Sequence, residues 1–327
     1  ATAPESLPAG GSQSDNDYIL FFTDLSKQNA EWMRNTLRAA GYGGMVAQYN
    51  ISHWFGGQEA RWEESQVSIA NCYFSHPTKF DEPGSKCEQD SSISTGAGPG
   101  YWRGSASTRL SGRPFIQTEF NHAFWNPYQH EGGLLFGAYS ALQGFDGLMI
   151  HGDPVFSYAS PPGLAAFAVG ISPVARANEF LLACLYLRGD VRKSEHRVEI
   201  QVPEEWMKTD CNGGRSVSEA QEKLALITGL SISFPWAKCA EGVGKSPEAD
   251  LVMPPFGGSE FKTSGGGWAL NASSTGVQDT KFSLDATIAG MKEKGIIPKY
   301  NISDPAKGVF QSDTGEITMR TRENMLK

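Results

Sequence analysis

A chain of 327 residues suffices for one large domain or two ordinary ones, and 39% hydrophobic with 20% charged residues excludes a disordered or fibrous composition. The net charge is −8 and no Lys/Arg cluster runs along the sequence, so nucleic acid is not an expected partner. No apolar run reaches the ~18 residues a membrane span needs, and no signal peptide opens the chain.

Residues 1–16 are small, polar and Gly/Pro-rich and read as loop. From Asp17 to Ala40, apolar residues Tyr18, Phe21, Phe22, Leu25, Trp32, Met33 and Leu37 recur at helical spacing, with Asp15 or Asp17 as cap and Gly41 as stop. Met45–Asn50 is a short apolar run that turns polar at its end, as a buried parallel strand does. Ala70–Pro77 repeats that pattern, ending near His76. A Gly/Ser-rich insertion spans roughly residues 79–111. Pro114–His122 is the third strand, Gln129–Leu142 a helix, Gly147–Gly152 the fourth strand, and Pro173–Leu187 a helix closed by Gly189.

Strands alternating with helices imply parallel βα units. The α/β architecture expected over residues 1–190 is the C-terminal half of a TIM barrel, whose active site collects at strand C-terminal ends. Asn50, His76, Glu119 and His151 hold such positions. The rival architecture, a Rossmann-like open sheet, would want a GxGxxG or phosphate-loop turn, and none is present. Beyond Asp190 the texture changes. Arg197–Val202 alternates as a half-exposed strand, and 224–233, 268–273, 282–286, 309–312 and 316–319 are further strand candidates. Asp313-Thr314-Gly315 reads as a hairpin turn. Residues 191–327 are therefore expected to form a mainly β, sandwich-like accessory domain.

Five cysteines include no CxxC pair. Cys72 with Cys87 and Cys211 with Cys239 are candidate disulfides, and Cys184 lies in an apolar run that predicts a buried thiol. A disulfide-bearing chain would belong to an oxidising compartment.

The chemistry centres on Arg113-Pro114-Phe115-Ile116-Gln117-Thr118-Glu119-Phe120-Asn121-His122. A carboxylate ending a buried strand is costly unless it is functional or paired. Two readings fit: a glycosidase nucleophile attacking an anomeric carbon, or a structural Glu bonded to neighbouring loops.

The runs Thr118-Glu119-Phe120-Asn121, Asn126-Pro127-Tyr128-Gln129-His130-Glu131 and Gly137-Ala138-Tyr139 through Gly147 resemble the seventh and eighth βα units of clan A glycoside hydrolases. The resemblance implies a retaining hydrolase of an oligo- or polysaccharide with Glu119 as nucleophile and no cofactor or metal, secreted or periplasmic. It makes 45–50, 71–76, 115–119 and 148–151 strands five to eight. The clan's acid/base Glu follows an Asn at the end of strand four. The sole Asn-Glu here is Asn178-Glu179 inside a helix, so the acid/base is expected from a preceding segment or a separate half-barrel chain. By the same resemblance, Asn121 and His122 line the cleft, and His151 stands where the clan often has an aromatic platform. Apart from the resemblance, His76 is a candidate to hydrogen-bond the nucleophile or a sugar hydroxyl. Gln48 and Asn50 are candidates for sugar hydroxyls, and Trp54, Trp102 and Trp125 for stacking. Two other functions compete: a non-catalytic carbohydrate-binding or assembly protein, and a metal-dependent barrel hydrolase using His76, His122 and His151, which lack HxH or HExxH spacing.

Overall fold

The computed structural model describes the chain except residues 1–11, 49, 51–52, 80–83, 95–97, 124, 153–166, 168–169, 171, 245–247, 256–261, 264–276 and 279–281. The strand candidate at 268–273 lies outside the described residues.

Helix α1 (Gln13–Ala39) starts earlier than its periodicity predicts, because Ser12 accepts the Asp15 amide and Asp15 answers to the Ser12 amide in a capping box. Its buried residues are Asn16, Ile19, Thr23 and Ala30, whereas Phe21, Leu25, Trp32, Met33 and Leu37 stay exposed. The expected apolar stripe is thus not the stripe that packs. Lys27 pairs with Glu59 and Glu63, and Arg34 with Glu64, which fixes α1 against α2 (Phe55–Glu64).

Strand β1 (Ser68–Phe74) leads through α3 (Gly100–Ala106) to β2 (Phe115–His122), α4 (Glu131–Gln143) and β3 (Gly147–Ile150). The sheet is parallel in the order β1-β2-β3. The 46–50 segment lies along the outer edge of β1: the Gln66 amide donates to the Val46 carbonyl (3.0 Å) and the Asn71 amide to the Asn50 carbonyl (2.9 Å). It forms no regular strand. α3 lies within the stretch expected to be loop.

One face of this sheet is closed. Ser68, Ala70, Cys72 and Phe74 of β1, with Phe115, Gln117, Phe120 and His122 of β2, are buried beneath the helices. Phe120 meets Phe136 of α4 at 4.4 Å between ring centroids, and Phe115 meets Phe145 at 4.4 Å. The opposite face carries Ile69, Asn71, Tyr73, Ile116, Thr118 and Glu119, all half-buried, and exposed Met149. Parallel sheets ordinarily have both faces covered. No barrel closes over this face among the described residues.

α5 (Pro173–Leu182), capped by Ser172, runs into a π turn at Ala183–Leu187 and ends at Gly189 with φ +80°. Beyond it stand β4 (Arg197–Gln201), α6 (Glu204–Met207), α7 (Glu219–Glu222), β5 (Gly229–Ser233) and β6 (Leu251–Met253). The last part holds β7 (Lys262–Thr263), β8 (Val277–Gln278), α8 (Leu284–Lys294), β9 (Val309–Gln311), β10 (Thr318–Arg320) and β11 (Met325–Leu326).

This second part departs from the expected β sandwich. Strands β5-β4-β6 form a parallel sheet, and Val198, Ile200, Leu230 and Ile232 are buried rather than alternating with solvent. The 282–286 segment opens α8 instead of forming a strand. β9, β10 and β11 make an antiparallel meander, with the 313–315 turn between the first two, and β7 pairs antiparallel with β8. A single apolar cluster runs from Phe55 and Trp102 to Phe310 and Met319, so the core crosses residue 190. Gln143, at the end of α4, joins the two parts. Its amide nitrogen donates to the Ala225 (2.8 Å) and Thr228 (2.7 Å) carbonyls, and its oxygen accepts the Leu230 amide (2.9 Å).

None of the five cysteines is in a disulfide. Cys72 faces the core under Tyr101 and burial pushes its thiol pKa well up. Cys211 is buried beside Ile19, while Cys239 is exposed and accepts from Arg113 (3.4 Å). Neither expected disulfide exists, and Cys184 is only partly buried. The cysteine argument for an oxidising compartment therefore loses its support.

Candidate active site

The polar groups of the open sheet face gather at its C-terminal edge, and a β-bulge puts them there. Asn71 of β1 stands opposite Glu119 while its neighbour Ala70 stands opposite Gln117, so Thr118 is the extra residue. Gln117 belongs to the closed face. Without the bulge Glu119 would follow it there by strict alternation; the extra residue sets Glu119 beside Asn71 on the open one.

The Glu119 carboxylate, 37% exposed, has two partners. The Tyr73 hydroxyl donates a short hydrogen bond to Oε2, and His151 Nδ1 lies 3.8 Å from the same oxygen. Burial, then the bond to Glu119, raises the Tyr73 pKa, so the phenol stays protonated and remains a donor. Among the described residues no carboxyl group is hydrogen-bonded to Glu119. Beneath it, Thr118 Oγ1 donates to Asn71 Oδ1 (2.9 Å), which also accepts from Asn50 Nδ2 (3.3 Å). The amides of Asn50 and Asn71 thereby line the 50–71 side of the site.

Aromatic rings wall the other side. Tyr73 packs edge-on against His76 (5.4 Å), His151 (5.6 Å) and Phe167 (5.6 Å), and Phe167 lies 5.0 Å from His151. A half-exposed carboxylate beside a phenol, two imidazoles, a phenyl ring and two amides can approach a polyhydroxylated ring. The carboxylate can act as a nucleophile or a hydrogen-bond acceptor, and the rings can meet apolar C–H faces.

The predicted site residues separate into two groups. Asn50, His76, Glu119 and His151 meet here. His76 reaches Tyr73 by ring contact, and the hydrogen bond to Glu119 expected of His76 comes from Tyr73 instead. Asn121 is adjacent but 9% exposed, its Nδ2 donating to the His151 carbonyl (2.6 Å). It holds the His151 backbone rather than presenting its amide to a ligand.

His122 is a correction. It pairs in register with Phe74 on the closed face, packs against that ring at 4.9 Å, and burial lowers its pKa to about 4. Gln48 is another: it is 4% exposed and its amide donates to the Ala30 carbonyl of α1 (2.7 Å). Trp54 packs with Tyr18 against Ile19 and Cys211. Trp102 is fully buried against Tyr139 (5.2 Å), so neither ring faces the site. Trp125 is 38% exposed with φ +75°, a strained backbone for a bulky residue. Because His122 points away from His151, the three histidines do not converge. Among the described residues no group of three or more His, Cys, Asp or Glu side chains is placed to hold a metal.

Sequence reasoning missed Tyr73, Asn71, Thr118 and Phe167. Period-two alternation makes Asn71 and Tyr73 same-face neighbours of each other, but counting back from His76 selects Phe74 and Cys72 on the opposite face; the left-handed turn at Ser75 (φ +60°) lies between Tyr73 and His76. Comparisons of the chain with protein-family models, with curated proteins and with solved structures find no match.

Proposed function

We propose that this chain carries the nucleophile half of a retaining glycoside hydrolase acting on an oligo- or polysaccharide outside the cytoplasm. Glu119 attacks the anomeric carbon and forms a glycosyl-enzyme ester, the leaving oxygen takes a proton from a general acid, and water then releases the sugar. The observation that carries the reading is the Glu119 carboxylate itself: half-exposed on the open face of a parallel strand that runs on to His122, and held by the Tyr73 hydroxyl. Tyr73 fixes the carboxylate rotamer without neutralising it.

Retention needs two carboxyl groups about 5–5.5 Å apart, and among the described residues none is hydrogen-bonded to Glu119. The reading takes the acid from outside the described residues or from a further segment or chain. The half-buried face of β1-β2-β3 with its exposed Met149, and the exposed Phe21, Leu25 and Trp32 of α1, support a further segment or chain as cover, since surfaces of this kind ordinarily mark an interaction. The lack of a carboxyl partner also favours a second reading, a non-catalytic saccharide-binding surface.

One experiment separates them without the acid. A 2-deoxy-2-fluoroglycoside with a dinitrophenolate leaving group needs no protonation to react. Glu119 should become glycosylated on incubation with a gluco-, galacto-, manno- or xylo-configured panel, read by peptide mass spectrometry. Labelling elsewhere, or none across the panel while saccharide still binds, would establish the binding surface instead.

A further inference from the structure

A second cleft, remote in sequence from Glu119, opens between the 192–196 segment and the end of α8. Its volume is about 510 Å³, within the roughly 300–1,000 Å³ of ligand clefts. Ile296 and Ile297 are buried at its base. The lining includes Arg192, Lys193, Lys292, Lys294 and Lys299 against three carboxylates, Glu195, Glu293 and Asp313. This local excess of cations stands on a chain whose net charge is −8.

The lysines are not consumed by the fold. Arg192 is paired with Glu316 (2.6 Å), but no carboxylate pairs with Lys193, Lys292, Lys294 or Lys299 among the described residues. Lysines at a helix C-terminus ordinarily complement its free carbonyls. Here the chain reversal at Gly295 (φ +75°) already brings backbone amides to those carbonyls: Gly295 N–H donates to Lys292 (3.3 Å) and Ile296 N–H to Met291 (2.9 Å). Lys193 and Lys299 belong to no helix. Asp313 is occupied too, its carboxylate accepting from the Ser194 and Thr228 hydroxyls. On the rim stands Tyr300, 81% exposed. A phenol left in water beside unpaired ammonium groups offers a flat apolar face next to anion-binding donors.

We infer that this cleft binds an anionic saccharide, a uronate- or sulfate-bearing sugar whose ring lies on Tyr300 and whose oxyanion meets Lys292 and Lys299. The cleft shares no residue with the Glu119 site, and the inference holds whether or not Glu119 is a nucleophile.

Isothermal titration of the whole chain tests it with an oligogalacturonate, a sulfated galactan oligosaccharide, the neutral galactan of equal length, inorganic phosphate and ATP. One or both anionic oligosaccharides should bind, more weakly as salt is added. The double variant Lys292→Gln/Lys299→Gln should lose on the order of tenfold in affinity, since exposed ion pairs contribute up to about 1 kcal/mol each. Tyr300→Ala should lose roughly threefold or more, and Lys208→Gln, outside the cleft, should lose nothing. Unchanged melting temperatures would show that the variants fold. The inference is overturned if the neutral galactan binds equally, if phosphate or ATP binds as tightly as the saccharides, if the cleft variants bind like the parent, or if no anionic oligosaccharide binds.

Discussion

Each of the two parallel sheets carries a glutamate on a strand, and the pair behaves in opposite ways. Glu199 of β4 is 6% exposed and its carboxylate accepts from Ser111 (2.5 Å), Ser233 (2.8 Å) and Gln201 (3.0 Å). Glu119 of β2 has one hydroxyl donor and one imidazole at 3.8 Å, and is 37% exposed. A buried carboxylate with both oxygens hydrogen-bonded is a structural element, because removing it orphans its donors. A carboxylate left half open has been kept free for something that arrives. Among the described residues the first sheet leaves Glu119 half open, while Glu199 lies buried on the middle strand of the second, so burial of the position, rather than residue type, separates the two roles.

The sharpest way to break this contrast is to exchange the substitutions. Glu119→Gln should reduce glycosyl-enzyme formation by roughly a thousandfold or more, while its unfolding free energy stays within about 0.5 kcal/mol of the parent. Full labelling of that variant by the fluoroglycoside would remove Glu119 from the chemistry. Glu199→Ala should do the reverse, costing roughly 2–4 kcal/mol in urea unfolding as three donors lose their acceptor. An equally stable Glu199→Ala chain would mean the second sheet does not depend on its buried carboxylate.

Tyr73→Phe is gentler. It removes the donor to Glu119 and nothing from the core, so labelling should slow by roughly tenfold with little change in melting. A large stability loss instead would make the Tyr73 hydroxyl a structural bond like those around Glu199.

The smallest effect expected is a pH slope from the second part of the molecule. Glu222 of α7 is buried with Arg103 at 3.8 Å, and burial raises its pKa to about 8 against the partial opposition of Arg103. Between the ordinary carboxylate range and about 8 the folded chain holds a proton that the unfolded chain releases. This contribution is fully present at low pH and is lost as pH rises towards 8. Glu222→Gln should flatten the decline in stability between pH 5 and 8 by about 1–2 kcal/mol, measured by urea titration at both ends. An unchanged slope would place the titration elsewhere.

Legible in the sequence were the three strand positions of the first sheet, the helices at 131–143 and 173–182, and Glu119 as a residue of the second of those strands. Those follow from local periodicity, which survives any tertiary arrangement. The strand expected to end at Glu119 runs on to His122, the helix at 100–106 carried no clear signal, and Asn50 ends no strand. Tertiary structure alone decided which face each side chain occupies. The bulge at Thr118 puts Glu119 on the open face, while His122, three residues on, lies against Phe74 on the closed one. Gln48 and Trp102 were consumed by α1 and the core because distant segments supplied their partners. The second sheet was misread as β-sandwich strands because parallel pairing among 197–201, 229–233 and 251–253 is a contact between far-separated segments. A short strand looks the same in sequence whether its neighbour runs with it or against it, and only packing supplies the neighbour.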